Sequence, residues 1–471
     1  MRAFATQKPS PSGPRLRLLA VSNGHGEDAV AAAVLQAMKK HVQEKKGWLE
    51  TKALPVVGRG KAYVRAGVAL RGPLEPMPSG GFLKWDPKLW MDDLQAGLAG
   101  LTMKQMASID AWKDETPGTV GEYDVMEGTE TIPSVDWDGN AYKQAILAVG
   151  DVVPLFMAAT AGGSTPFAFV GCAKSEFYER LPDGSFYEDP ASLPSRLLSP
   201  TCTYLPHERA LMMSEACRLI APRDEMTAEC LRDALPEQYR DRVVSLGNPM
   251  MDGVMDENLP GLNARLEKIP DQVAKVLVLP GTREGEVLRN WEKLLKAAKV
   301  AAQLCPRIIC LCPHPPAWDI VPFEAAMRSQ GWFMVDSHDG FTEFQLVGHE
   351  ECTLLWFGGG FGNALRSADI ALAMAGTATE QFVGLGKPVV TFPGEGPQFT
   401  EQFAKLQERL LGKGSLILCA NPTQAGSAVV SVLQDAGFRD SCKENGRLRM
   451  GEEGAAARIA SEIWNRFVDA Q

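Results

Sequence analysis

The sequence predicts an α/β protein built from two Rossmann-like, doubly wound domains, and three observations predict it. Short runs rich in Val, Ile, Leu and Ala alternate with longer stretches of helical periodicity, as expected of a parallel sheet covered on both faces. The alternation runs twice, broken by a polar Pro-Gly segment around Asn258-Leu259-Pro260-Gly261. With 471 residues and 45% hydrophobic content, the chain can bury at least two cores. The expected organisation is a tail over 1–14, a first domain over 15–252 with an insertion at about 72–135, a linker over 253–272, a second domain over 273–454 and a final helical segment over 455–471. Two such sheets joined by one linker create a cleft facing the carboxyl ends of both sets of strands, where ligands of doubly wound sheets bind.

The first 26 residues contain no acid, carry Arg2, Lys8, Arg15 and Arg17, and include Thr6, Ser10, Ser12 and three prolines. Two readings stand for this start, the remnant of an organelle transit peptide, which is basic, Ser-rich and acid-poor, or a frayed terminus. The first reading places the protein in the plastid stroma or on a membrane surface, and the second leaves it cytoplasmic and peripheral to a membrane.

The first strand is Arg15 to Ser22, followed by Asn23-Gly24-His25-Gly26-Glu27-Asp28 and a helix from Ala29 to about His41. The glycines let a loop approach a ligand closely, and His25 at the strand end is a candidate general base or phosphate contact. The bland alternative makes His25 a turn residue and Asp28 a helix cap. Between Gly80 and Trp112 the alternation stops. Phe82, Leu83, Trp85, Leu89, Trp90, Met91, Leu94, Leu98, Leu101, Met103 and Met106 crowd together with Lys84, Lys88 and Lys104. Such an element rests in a lipid interface, holds an acyl chain, or packs as a helical subdomain over the sheet. Asp136-Trp137-Asp138 has the acids of a metal-diphosphate site, but Asp138-Gly139-Asn140 reads as a turn.

Later strands of this half are Ala145 to Gly150, Pro166 to Val170, Arg218 to Ala221 and one near Val243 to Gly247. Gly150-Asp151 again sets an acid at a carboxyl edge beside a helix, where Asp151 can deprotonate or orient a hydroxyl, or simply cap the helix.

The second series opens with Lys275 to Pro280 and the turn Gly281-Thr282-Arg283-Glu284-Gly285-Glu286. Arg283 offers a planar, permanently charged fork for a diphosphate, with a surface salt bridge as the alternative. Strands follow at Ile308 to Leu311, Thr353 to Phe357, Asp369 to Met374, Pro388 to Phe392 and Leu416 to Cys419. Cys310, Cys312 and His314 are metal-ligand types, but without a second cysteine pair the cysteines read as a buried strand; His314, at the strand end beside Pro313 and Pro315, reads as a turn, with a position facing the cleft as the alternative. The richest segment is Ala375-Gly376-Thr377-Ala378-Thr379-Glu380. There a small-residue turn puts backbone N–H groups and two hydroxyls at a helix N-terminus suited to a phosphate. Glu380, in the first turn, can accept from a ribose diol; capping and dipole stabilisation are the plainer roles. The loop Pro393 to Phe403, with Gln398, follows a strand and belongs over the same cleft.

These motifs together carry a resemblance. Gly376 to Glu380, the Leu-Pro-Gly-Thr-Arg run ending at Arg283, Gly247-Asn248-Pro249-Met250-Met251-Asp252 and the Asp151 strand end resemble lipid-A-disaccharide synthase. With Ser22 to Asp28 added, the chain more closely resembles the lipid-A-disaccharide-synthase-related proteins of cyanobacteria and photosynthetic eukaryotes, over nearly everything after residue 15. The resemblance implies a GT-B fold, a C-terminal helix crossing back onto the first domain, and transfer of a sugar from a UDP-sugar to a lipid-like acceptor without a cofactor or catalytic metal. It sets Asp151 at the family's catalytic aspartate; His25 is the second candidate base, on the ground that an imidazole suits proton transfer near neutral pH. Arg283 falls where an arginine faces the donor diphosphate, and Glu380 where an acid reads the nucleotide. Gly376, Thr377, Ala378, Thr379 and Gln398 complete the expected donor site. Asn23, Gly24, Gly26, Glu27 and Asp28 form the acceptor-side loop, in which Asp28 matches the family's last acid while Gly24 replaces a glutamate. Two other readings use the same residues: a nucleotide-sugar-binding scaffold that has lost transfer, and a hydrolysing UDP-sugar epimerase.

Composition narrows the partners. A net charge of -10 argues against a nucleic-acid footprint, and ten cysteines scattered through apolar runs argue against a disulfide framework. The expected partners are a UDP-sugar and a lipid-like acceptor, with membrane contact through the Phe82–Met106 region.

Overall fold

The computed structural model describes residues 13–75, 95, 97–125, 141–188, 193–254, 257, 259–283, 285–305, 307–338, 340–395 and 399–469. Most of the tail, the aromatic residues from Phe82 to Leu94, the Asp136-Trp137-Asp138 triplet, Asn258 and Gln398 lie outside the described residues. The chain divides into two compact units, Met1–Gly253 with Glu453–Gln471, and Val254–Glu452.

The first unit is built on six parallel strands, β1 (Arg15–Ser22), β2 (Trp48–Pro55), β3 (Ala69–Leu70), β4 (Lys143–Val149), β5 (Phe167–Gly171) and β6 (Cys217–Pro222). Their order is β3-β2-β1-β4-β5-β6, with Leu18 of β1 facing Thr51 on one side and Ala145 on the other. β1 and β4 are neighbours although two strands separate them in sequence. The chain therefore leaves them in opposite directions and opens a crevice at their carboxyl ends. Every residue of β1 is buried, because the sheet is covered on both faces. Leu16, Leu18 and Ala20 pack on one face with Val34, Leu35 and Met38 of the helix His25–Glu44, while Leu19 and Val21 point the other way, toward Leu155 and Trp112.

The helix Ala455–Trp464 belongs to this unit and adds Ile459, Ile463 and Trp464 to the first of these clusters. Its first turn is tied to Asp252, whose carboxylate accepts from the amide of Gly454 and, at 2.6 Å, from that of Ala456. Two carboxylate oxygens thus satisfy donors that no helix can satisfy itself.

On the outer side of β1 to β3 lies an interior ion network. Arg17 reaches Glu50 at 3.0 Å, Arg71 reaches Glu115 at 2.7 Å and Asp124 at 3.1 Å, and Lys52 reaches Asp124 at 2.5 Å. Arg17 also lies over the Trp112 ring at 4.7 Å. Three cations and three acids balance, which is what permits fully buried arginines. The described part of the insertion, chiefly the helix Leu98–Asp114, is held to the sheet by this network. Within it Leu101 and Trp112 are buried and Met103 is 73% exposed.

The second unit repeats the strand order and extends it. Its strands are β7 (Ala274–Leu279), β8 (Ile308–His314), β9 (Trp332–His338), β10 (Phe341–Leu346), β11 (His349–Gly358), β12 (Ile370–Ala373), β13 (Val389–Thr391) and β14 (Leu416–Leu418), ordered β14-β13-β12-β7-β8-β11-β10-β9. Removing the antiparallel hairpin of β9 and β10 leaves six parallel strands in the order of the first sheet. Sequence periodicity gives no sign of this hairpin, because six of the seven residues of β9 are exposed and its pattern follows no buried face. A second difference concerns 253–272, expected as a linker. It contains the helix Pro260–Glu267, which buries Leu262 and Leu266 as part of the second unit. Proline at its first position reads as a breaker in sequence but starts a helix as readily.

All ten cysteines are free thiols, and Cys310 and Cys312 are buried in β8 as a strand interior requires.

Candidate functional site

Each unit assembles its candidate residues at the carboxyl ends of two adjacent strands. In the first unit these are β1, continuing into Asn23 to Asp28, and β4, continuing into Gly150 and Asp151. Asp151 caps the helix Val152–Thr160, its Oδ1 accepting from the Val153 amide at 2.8 Å. The same oxygen accepts from Asn23 Nδ2 at 2.6 Å. The plain capping role is therefore present, and an orienting hydrogen bond across the two strands accompanies it. Gly150 makes this approach feasible. Its φ of +130 favours glycine, and a Cβ there would stand 2.2 Å from Asn23 Oδ1, an oxygen that is buried with no hydrogen-bond partner.

His25 begins the helix His25–Glu44 and is exposed, with its ring beside Gly58 in the loop after β2; a Cβ on Gly58 would meet His25 Cε1 at 2.8 Å. Glu27 folds back over Gly24, where a Cβ would meet its Oε2 at 2.2 Å. Gly26 is partly exposed in the same turn.

Asp28 differs from the expectation. It is 1% exposed and turned inward, away from any acceptor. Ser22 Oγ donates to its Oδ1 at 2.6 Å, and the same Oγ shares a 2.5 Å hydrogen bond with the fully buried Tyr63 hydroxyl. Asp28 Oδ2 is buried without a partner. The helical period causes this: position 28 falls on the same face as Ala31, Ala32 and Leu35, all packed on the sheet. Burial, reinforced by the neighbouring Glu27 charge and only partly offset by Ser22, pushes the Asp28 carboxyl up to about 7. Tyr63 is not legible as a partner in sequence, since only the fold brings the short helix Lys61–Arg65 beside β1.

In the second unit the corresponding strands are β7 and β12, side by side with Leu279 opposite Ala373. The turns that follow them touch: Gly281, at φ +81, brings its backbone so close to Met374 that a Cβ would lie 3.0 Å from the Met374 carbonyl oxygen. Gly376 precedes the helix Thr377–Gly384 and no side chain caps it. The Thr379 and Glu380 amides bond to the Gly376 carbonyl at 3.0 and 3.2 Å, whereas those of Thr377 and Ala378 precede the first intrahelical acceptor. Thr377 is exposed, Ala378 and Glu380 are partly covered, and a Cβ at Gly376 would meet nothing nearer than Phe403 at 3.9 Å, so the turn is open.

One of the two expected hydroxyls is withdrawn. Thr379 is fully buried and its Oγ1 donates to the Ala375 carbonyl at 2.7 Å, the back-bond a helical threonine makes when it faces inward. Gln407 Nε2 reaches the same carbonyl at 2.9 Å, so the turn is braced from beneath. Arg283 is half-buried. Burial lowers its guanidinium below the ordinary value and Glu286 opposes that shift.

Other features at this edge escape a reading of the sequence. Asn290 donates to the Pro280 carbonyl at 3.1 Å and leaves Oδ1 buried without a partner, 2.9 Å from where a Gly394 Cβ would stand. His314, at the end of β8, stacks on Trp356 with ring centroids 4.4 Å apart and lies parallel to Trp318 at 6.2 Å. It stands at the end of a strand adjacent to β7. The repeated prolines around His314 are the available signal. Among the described residues, no group of three or more His, Cys, Asp or Glu side chains is placed to hold a metal ion.

Comparison with known proteins agrees with this architecture. No model of a known protein family matches the chain. A stretch of 146 residues is 27% identical to the lipid-A-disaccharide synthase of Syntrophus aciditrophicus (strain SB), covering 31% of this chain and 33% of that protein. The match thus spans about a third of the length of that relative. Solved structures are similar over almost the whole chain. The UDP-GlcNAc 2-epimerase of Methanocaldococcus jannaschii has a TM-score of 0.51 at 12% identity, covering 95% of this chain and 99% of its own. That of Neisseria meningitidis, bound to UDP-GlcNAc, gives 0.50 at 15%, covering 95% and 98%. The calicheamicin glycosyltransferase CalG4 gives 0.50 at 16%, covering 96% and 99%. Two α/β units with parallel sheets of one strand order, matched over their length by such proteins, give the chain the GT-B fold.

Proposed function

We propose that this protein is a UDP-sugar-dependent glycosyltransferase acting on a lipid-like acceptor, similar to lipid-A-disaccharide synthase. The observation that carries the reading is the turn Ala375 to Glu380, whose Thr377 and Ala378 amides stand at a helix start, ahead of any intrahelical acceptor, beside the Gly281–Arg283 turn. In this reading the two turns hold the diphosphate and Glu380 accepts from the ribose. Amides and guanidinium stabilise charge developing on the departing UDP, and no metal is called on. Asp151, oriented by Asn23, takes the proton of the acceptor hydroxyl, with His25 as the second candidate. The Syntrophus synthase match supports the acceptor class.

A second reading, hydrolysis and epimerisation of a UDP-sugar, is favoured by the UDP-GlcNAc 2-epimerases among the structural relatives. Incubation with a panel of UDP-sugars, with and without membrane lipid extract, separates them. Transfer gives UDP release that depends on lipid, with a new glycolipid by mass spectrometry. UDP release without lipid supports the epimerase, and binding without turnover supports a scaffold.

A further inference from the structure

We propose that the second unit holds a separate anion site at the amino-terminal edge of its sheet, and that its ligand carries a phosphate, either free or as a phospholipid headgroup. A cavity of about 290 Å³ opens there, where the chain enters β12 and β13, and Arg366, Asp369, Lys387, Arg439, Asp440 and Lys443 line it. It lies at the opposite end of the strands from the Gly376 turn. A water occupies about 30 Å³ of liquid, so a phosphate group fits with several waters.

Cationic side chains outnumber acidic ones along this cavity. Lys387 Nζ donates to three carbonyl oxygens, those of Leu365, Arg366 and Ala368, at 2.9, 2.5 and 2.6 Å. These dipoles use all three ammonium protons, yet none carries a full negative charge. Asp369 is the acid that acts on this lysine, and its carboxylate also accepts from the Lys275 amide at 2.9 Å. Burial, then the charges of Lys275 and Arg366, bring Lys387 down to about 8 against the pull of Asp369. Arg439 Nε is buried and has no hydrogen-bond partner. Lys443 pairs with Asp440 at 3.2 Å, but both are about three-quarters exposed, so that pair contributes little and can exchange partners. Four cationic side chains therefore line the cavity with two carboxylates. A phosphate suits this lining best, because its oxygens accept from a guanidinium fork and from lysine together.

The walls are preformed. Gly386, at φ +74, abuts the helix Ala436–Met450 so closely that a Cβ would stand 2.9 Å from Lys443 Cα, and a Cβ on Gly446 would stand 2.2 Å from the Val383 carbonyl oxygen. The helix bearing Arg439 and Lys443 cannot back away from the lysine loop without losing that packing.

The test uses the whole chain. Inorganic phosphate is titrated by calorimetry against the natural sequence, Arg439→Gln, Lys443→Gln and Arg283→Ala, with sedimentation on vesicles of phosphatidylcholine alone or mixed with phosphatidylglycerol. The expected result is a saturable phosphate-binding component that is weakened about tenfold or more by Arg439→Gln and reduced by Lys443→Gln, and that persists in Arg283→Ala, where only binding at the donor turn is lost. If the headgroup is the ligand, sedimentation requires phosphatidylglycerol and falls with the same two variants. Phosphate binding unchanged in Arg439→Gln, binding lost entirely in Arg283→Ala, or no binding to either probe overturns the proposal. All three variants are compared by melting curve, so that loss of fold is not read as loss of the site.

Discussion

Asn23 Nδ2 donates to Asp151 Oδ1 at 2.6 Å, linking the ends of two strands that stand side by side although 128 residues separate the pair. The bond fixes one carboxylate oxygen, which also caps a helix, and thereby sets the direction of the other. A base that must meet a hydroxyl in one geometry needs this restraint.

Removing the restraint should therefore affect turnover more than stability. Asn23→Ala is expected to lower kcat on the native acceptor by about tenfold or more with little change in UDP affinity, whereas Asp151→Asn loses about a hundredfold or more. Single-turnover kinetics beside UDP calorimetry check this. Near-normal turnover of Asp151→Asn would move the base to His25.

Gly150→Ala is a structural probe of the same contact. The substitution forces an alanine into φ +130 and drives its Cβ into Asn23 Oδ1. A loss of about 1–3 kcal/mol is expected in urea unfolding. Stability equal to that of the natural chain would show that Asn23 can leave Asp151 without cost.

Arg283→Ala and Glu380→Ala test the donor turn. Each should weaken UDP binding by about tenfold in calorimetry, since a hydrogen bond involving a charged group contributes about 1.5–3 kcal/mol. Both residues lie at least partly exposed at strand or helix ends, so melting curves should change little. Unchanged affinity in both variants removes the donor assignment.

Asp28 predicts a pH dependence of stability. Its folded value of about 7 lies above the ordinary value of 3.8, so between these limits the unfolded chain has released a proton that the folded chain keeps. Stability from this group is full below about pH 4 and falls as pH rises toward 7. The group facing it from β1 is Ser22, from the short helix Tyr63, and from its own turn Glu27. Asp28→Asn keeps an acceptor for Ser22 and should flatten the slope of unfolding free energy between about pH 4 and pH 7. An equal slope in the variant would assign the proton elsewhere.

Asp252→Ala should free the last helix. Loss of two hydrogen bonds to the Gly454 and Ala456 amides is expected to cost about 1–2 kcal/mol and to speed hydrogen exchange across 455–464. Exchange at its former rate would mean that Ile459, Ile463 and Trp464 hold the helix without the cap.

The strand cores, their twofold repetition and the loops at their carboxyl ends are legible in the amino-acid order alone. Two-sided burial imposes continuous apolar runs such as Leu18 to Val21 and Ile370 to Ala373, and Gly and Asp at their ends mark turns and helix starts. Strand adjacency is set at a higher level. Nothing local pairs β1 with β4 or β7 with β12, yet those pairings bring Asn23 to Asp151 and Gly281 to Met374. Side-chain direction within a motif also depends on packing. Asp28 and Thr379 sit in the expected loops but turn inward, because each occupies the helix face that packs on its own sheet, where a polar group is retained only by bonding to Ser22 or to the Ala375 carbonyl. The strand β9 stays unread for the converse reason: an exposed strand has no buried face to impose a period on its sequence.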